Sequence, residues 1–230
     1  MSEQSNKKGT MAKDTVLYML AKGVEGVVGI LTLSVMSYLF VPEQMGQYSN
    51  VNIAITTVAM FAIQWLIQSV LRYINKYDVD NEQEKFFTTV FTAWLKVNII
   101  VIFFGVIALI LVNALSSKFV GLANFLDVYT PEVLALALLM FITYNTAQLM
   151  ISMLAAVRAV KTNLFISVFS VIGKIALIYF LATNYGKKIE WIFLSYAVFD
   201  GITSIIGFFK LKIYKYINVK NSSPEILATL

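Results

Sequence analysis

The sequence predicts an all-α integral membrane protein built as a bundle of six transmembrane helices, and three observations carry that expectation. Mean hydropathy is +0.76, with 59% hydrophobic and only 13% charged residues, a balance outside the range of soluble domains. Six windows of about 20 apolar residues, enough to cross roughly 30 Å of hydrocarbon as helix, fall near residues 15–40, 48–71, 94–115, 132–157, 164–182 and 191–209. Lys and Arg cluster in every second connection between those windows, as the positive-inside rule demands of a polytopic chain.

Taken in order, residues 1–14 form a hydrophilic N-terminal segment, and 15–209 form the bundle. The first span is too long for a signal peptide and has no small-residue cleavage site, so it is expected to be retained. Spans two and four follow Val41-Pro42-Glu43 and Thr130-Pro131-Glu132. Proline suits the first helical position, and the acid suits the positive end of the helix dipole. Ser223-Pro224-Glu225 repeats that punctuation inside the basic tail, 210–230. There Ser223 either caps the start of a seventh helix, or the tail lies on the membrane surface through Ile226, Leu227 and Leu230.

Twelve of the eighteen basic residues fall on one side, in the N-terminal segment, at Arg72, Lys76 and Lys85, at Arg158 and Lys161, and in the tail. Lys118, Lys187 and Lys188 occupy the other side, and Lys22, Lys96 and Lys174 are intramembrane. Both termini are therefore expected to be cytoplasmic. The net charge of +5 is spread over short loops and reports topology, not a nucleic-acid surface. With no cysteine and no histidine, the chain has no thiol nucleophile, no imidazole base and no Cys/His metal site. The expectation is a non-enzyme without metal or cofactor. Asp78-Val79-Asp80 spells a metal–nucleotide-sugar motif but reads as a solvated loop, and the glycosylation triplet Asn221-Ser222-Ser223 lies on the cytoplasmic side.

Five ionisable residues, Lys22, Glu25, Lys96, Lys174 and Asp200, stand inside apolar runs. A charge at the bilayer centre costs about 2.5–3.5 kcal/mol on insertion scales, so such residues turn to a bundle interior or a wet cavity. Together with membrane burial, this points to a transporter. At 100° per residue, Asn50, Thr57, Gln64, Gln68 and Arg72 share one face of span two. Asn145, Gln148 and Ser152 mark span four; Asn163, Ser167, Ser170 and Lys174 mark span five; Tyr196, Asp200, Thr203, Ser204 and Gly207 mark span six. Each face alone is explained by hydrogen bonding between helices, and together they favour a cavity. Counting about 1.5 Å per residue from the cytoplasmic side puts Lys174 and Asp200 both near the midplane, where they could meet as a structural pair or as one that opens to a phosphate or a proton. Lys22 and Glu25, three residues apart, can satisfy each other, the glycines Gly23, Gly26 and Gly29 beside them suit close helix approach, and Lys96 can snorkel.

The turn Val41-Pro42-Glu43-Gln44-Met45-Gly46-Gln47-Tyr48, the span-two ending Gln68-Ser69-Val70-Leu71-Arg72-Tyr73-Ile74 and the segment Ala155-Ala156-Val157-Arg158-Ala159-Val160-Lys161 resemble motifs of bacterial O-antigen and capsule flippases. These belong to the multidrug/oligosaccharidyl-lipid/polysaccharide exporter superfamily. The resemblance implies a six-helix bundle equivalent to one half of a twelve- to fourteen-helix exporter of the bacterial inner membrane. It also implies alternating access, with undecaprenyl-pyrophosphate-linked oligosaccharide as cargo, and with a second six-helix half or polysaccharide assembly proteins as partners. On that basis Lys22, Arg72 and Lys174 are expected to hold the pyrophosphate, Gln64, Gln68 and Asn145 the sugar hydroxyls, and Asp200 and Glu25 a coupling ion. The alternatives are a cation-coupled multidrug exporter of the same superfamily and a noncatalytic scaffold of a polysaccharide assembly complex. An intramembrane tally of three lysines against two acids favours an anionic cargo.

Overall fold

In the computed structural model, residues 16, 19, 23, 26–79, 82–215 and 226 are described. The expectations for residues 1–14, Lys22, Glu25, Asp80, Asn221-Ser222-Ser223 and Ser223-Pro224-Glu225 lie outside them, as does the side chain of Asp78. The described chain is helical, without strands: α1 (Gly26–Leu39), α2 (Pro42–Ala62), α3 (Gln64–Val79), α4 (Gln83–Ser116), α5 (Val120–Val128), α6 (Pro131–Ala156), α7 (Val160–Tyr185) and α8 (Glu190–Lys210), then a 3₁₀ turn at Ile213–Lys215. Four of these, α4, α6, α7 and α8, are long and apolar enough to cross a membrane, and five if α2 and the start of α3 are one bent span. The first expected span, 15–40, is represented by α1, which is shorter within the described residues.

Both described Pro-Glu sites start helices. Pro42 opens α2, where the Val41 N–H donates to Gln44 Oε1 (3.2 Å). Pro131 opens α6, where Thr130 Oγ1 accepts from the Val133 N–H (3.4 Å). Because this hydroxyl answers one of the free N–H groups of the first turn, Thr130→Ala is expected to lower stability by about 0.5–1 kcal/mol. Thermal unfolding of the detergent-solubilised protein measures it. At the other end of α6, Arg158 takes a left-handed φ of 56° and lets the chain reverse into α7, while Gly186 (φ 88°) ends α7.

Span two is corrected from one straight helix to two. The ladder breaks at Ile63, and α2 and α3 meet at a 49° bend. No proline or glycine lies at the break; the Trp65 indole N–H donates to the Ala62 carbonyl (2.8 Å), a side-chain insertion into the helix ladder of the kind that kinks helices. Beyond the bend α3 is amphipathic: Leu66, Val70 and Ile74 are buried, while Gln64, Gln68 and Arg72 are exposed.

Two apolar clusters hold the bundle, one toward each end. The first joins α1, α2, α6, α7 and α8 through Met36, Tyr48, Phe141, Ile178 and Phe193. The second joins α3, the start of α4 and the end of α6 through Val70, Phe86, Leu149 and Met153, and closes on Ile213. Gln44 Nε2 donates to the Lys187 carbonyl (2.8 Å) and Asn50 Nδ2 to the Tyr129 hydroxyl (3.3 Å). These bonds place the α1–α2, α5–α6 and α7–α8 turns at one end, the grouping that the charge alternation requires. The most extensive helix pairing is α6 with α8, followed by α7 with α8. Glycine allows both: a Cβ on Gly207 would lie 2.6 Å from Met150 Cβ, and one on Gly173 would overlap the Phe199 ring.

Candidate functional site

The helical faces read from sequence on α7 and α8 turn toward one another and toward α6. Asn163, Ser167 and Ser170 of α7 are buried, as are Asp200 and Thr203 of α8. Ser167, Ser170, Asp200 and Thr203 form the polar wall of a cavity of about 280 Å³, which Gln148 and Tyr144 of α6, Lys174 of α7, Tyr196 of α8 and Asn52 of α2 complete; Asn163, one turn before Ser167, lies outside its lining. Helical spacing explains the wall: Ser167, Ser170 and Lys174 succeed one another at intervals of three and four, as do Tyr196, Asp200 and Thr203.

At its centre Lys174 Nζ donates to Asp200 Oδ1 at 2.6 Å, with side chains only 13% and 7% exposed. The ammonium also lies 4.6 Å from the centroid of the Tyr196 ring, close enough for a cation–π contact. Lys174 therefore has a carboxylate and an aromatic face on offer at once. Asp200 Oδ2 is buried and has no protein partner among the described residues. A buried carboxylate oxygen left in that state is costly, so this half of the carboxylate can receive a donor or a cation entering the cavity. Seryl and threonyl hydroxyls and the Gln148 amide line the same space, groups that suit polyhydroxylated ligands. Ser204 takes no part, because its hydroxyl donates back to the Asp200 carbonyl (2.7 Å).

The residues expected to act together divide into three groups. Lys174 and Asp200 are brought into contact. Asn145 is buried on α6, its amide nitrogen without a partner among the described residues, one turn from Gln148 and outside the residues that line the cavity. Gln64, Gln68 and Arg72 are not brought to the cavity. The bend at Ile63 breaks their common face with Asn50 and Thr57, α3 holds them exposed on its outer side, and the Arg72 guanidinium lies over the ring of Tyr73, 5.3 Å from its centroid. Lys22 and Glu25 lie outside the described residues, and Lys96 is exposed on α4.

Two polar cavity residues escaped the sequence reading, Asn52 and Tyr144, and so did Tyr48, which stands behind Tyr196. Tyr48 packs its ring on Phe193 and Tyr196, with centroids 5.7 and 5.9 Å away, and so fixes the ring over which Lys174 sits. Tyr144 was legible in principle, being four residues before Gln148 on the same helical face. Asn52 was not, because its approach to α6 and α8 depends on how α2 packs. Comparison with protein-family models, with curated proteins and with solved structures found no match.

Proposed function

We propose that this chain moves lipid-linked oligosaccharide across the bacterial inner membrane by alternating access, with the cavity between α6, α7 and α8 receiving the charged head of the cargo. The observation that carries the reading is the Lys174–Asp200 pair, 2.6 Å apart inside a polar cavity among helices long and apolar enough to span a bilayer. A pyrophosphate head cannot enter hydrocarbon without replacement of its hydration. Lys174 can supply a cation to it, and Ser167, Ser170 and Gln148 can supply hydrogen bonds to phosphate or sugar oxygens.

Exchange of partners gives the cycle its switch. When the phosphate draws Lys174 away from Asp200, the carboxylate is left buried with both oxygens unpartnered, a state that a proton or a monovalent cation relieves. Cargo binding and cation binding then favour the same opened pair, which is the thermodynamic requirement for coupling. One elementary charge moved across the membrane is worth about 2.3 kcal/mol per 100 mV, enough to bias two conformations. The motif resemblance supports the same cargo class. A cytoplasmic position for both termini belongs to this reading, on the charge alternation.

The test is complementation. The chain is expressed at native level in a strain that lacks its oligosaccharide flippase, and surface polysaccharide is scored. Lys174→Ala is expected to lower export by roughly tenfold or more, a loss of about 1.4 kcal/mol or more in the limiting step. Lys174→Arg, which keeps the cation, is expected to retain a measurable part. Unchanged polymer with Lys174→Ala, insertion being confirmed, would remove Lys174 from the mechanism.

A further inference from the structure

A second cavity, of about 580 Å³, lies on the other side of α6, between α2, α4 and the short helix α5. It is apolar apart from Asn50 and Tyr129 at one end, which are bonded to each other at 3.3 Å. The first half of α4 contributes its buried residues, Phe86 to Val90, Ala93 and Asn98, whereas its most apolar stretch has none. Beyond Gly105, where a Cβ would come within 3.1 Å of Leu138, α4 has no buried residue, and α5 packs against α4 and adds Phe125 to the lining. The result is a groove open sideways to the membrane, not an enclosed void.

We infer that this groove holds an acyl chain of a zwitterionic phospholipid of the ethanolamine type. Three features select that occupant. The groove runs along α4 from Ile100 to Leu109, about 14 Å of helix at 1.5 Å per residue, close to the depth of one leaflet of a roughly 30 Å core. Its walls, Ala54 and Val58 on one side and Phe104 on the other, offer only dispersion contacts, which an aliphatic chain satisfies and an empty space forfeits. The segments that supply Phe125, Tyr129 and Leu134 to the groove carry exposed Asp127 and Glu132, and the α4–α5 turn carries exposed Lys118, a cation with two anions. That mixture complements a headgroup carrying both phosphate and ammonium, and it disfavours a purely anionic one. The groove and the Lys174–Asp200 cavity flank the α2–α6 contact from opposite sides, so this site does not depend on what the polar cavity carries.

The full 230-residue chain in nanodiscs, doped with phosphatidylethanolamine bearing a diazirine midway along one chain, tests this by irradiation and peptide mapping. Adducts at Phe104 and Val58 are expected to exceed those at Phe165 and Ile205, comparably exposed on α7 and α8, by roughly fivefold or more. Ala54→Phe, which fills the groove, is expected to abolish the excess and leave the Phe165 and Ile205 adducts unchanged. Labelling spread evenly over all exposed residues would overturn the inference. So would equal labelling by a phosphatidylglycerol probe, displacement of the probe by polyprenyl phosphate, or cross-links between two copies of the chain through α4.

Discussion

Asp200→Ala is expected to destabilise the protein by about 3–5 kcal/mol, because it leaves the Lys174 ammonium buried without its carboxylate. The pair is 2.6 Å apart with both side chains at least 87% removed from solvent, so little screening softens the loss. Replacing both partners with apolar residues of similar size, Lys174→Met with Asp200→Leu, is expected to recover most of that stability. A buried pair costs desolvation on both sides, and well-packed hydrophobic side chains commonly do as well. The measurement is denaturation in detergent, read by loss of helical signal, for the wild type, Asp200→Ala and the double variant. Equal losses in the single and double variants would mean that the side chains matter there for shape and not for charge.

The second large effect belongs to Gly207. It lies in the α6–α8 seam, the most extensive in the bundle, where an added Cβ would lie 2.6 Å from Met150 Cβ and 3.0 Å from its Cγ. Met150 Cβ is fixed to the backbone of α6 and cannot swing aside, so the helices must part. Gly207→Ala is expected to cost about 1–3 kcal/mol as overpacking, and Gly207→Val more. At Gly173 the obstructing atoms belong to the outer part of the Phe199 ring, which a rotamer change can move, so its alanine variant is expected to lose less. Gly46 gives the opposite sign: nothing lies within 4 Å of its added Cβ, and alanine there gains up to about 1 kcal/mol of helix propensity. Gly207 is also seven residues from Asp200 on the same face of α8, so a seam forced open at Gly207 shifts the carboxylate relative to Lys174. Thermal midpoints of the three alanine variants order the effects.

Much of the cavity was legible because helical periodicity fixes it locally. Ser167, Ser170 and Lys174, and likewise Tyr196, Asp200 and Thr203, share a face by spacing alone, and equal depth put Lys174 opposite Asp200. The polar stripe of span two failed on a single peptide. Gln64 and Asn50 share an arc only if the helix is straight, and the Trp65 indole, hydrogen-bonded to the Ala62 carbonyl, accompanies a bend there that residue types did not announce. A buried apolar face was strong enough to turn α3 the other way: Leu66, Val70 and Ile74 enter the core, and Gln68 and Arg72 necessarily point out. α5 was passed over because its nine residues are too short for a spanning window, and the groove it helps to line arises from how α2, α4, α5 and α6 pack, a tertiary feature with no local signature. Asn52 belongs to the same class, since only packing brings it to Tyr144 and Asp200.

Central to the account is that a buried, exchangeable charge pair handles a charged cargo, and transport by the double variant Lys174→Met with Asp200→Leu tests that most directly. Proteoliposomes holding the full chain are loaded with a fluorescent lipid-linked oligosaccharide, and its passage between leaflets is followed by accessibility to an impermeant quencher. The account predicts passage with the wild-type chain and background passage with the double variant, although that variant folds to near wild-type stability. Passage at the wild-type rate by the folded double variant would contradict it.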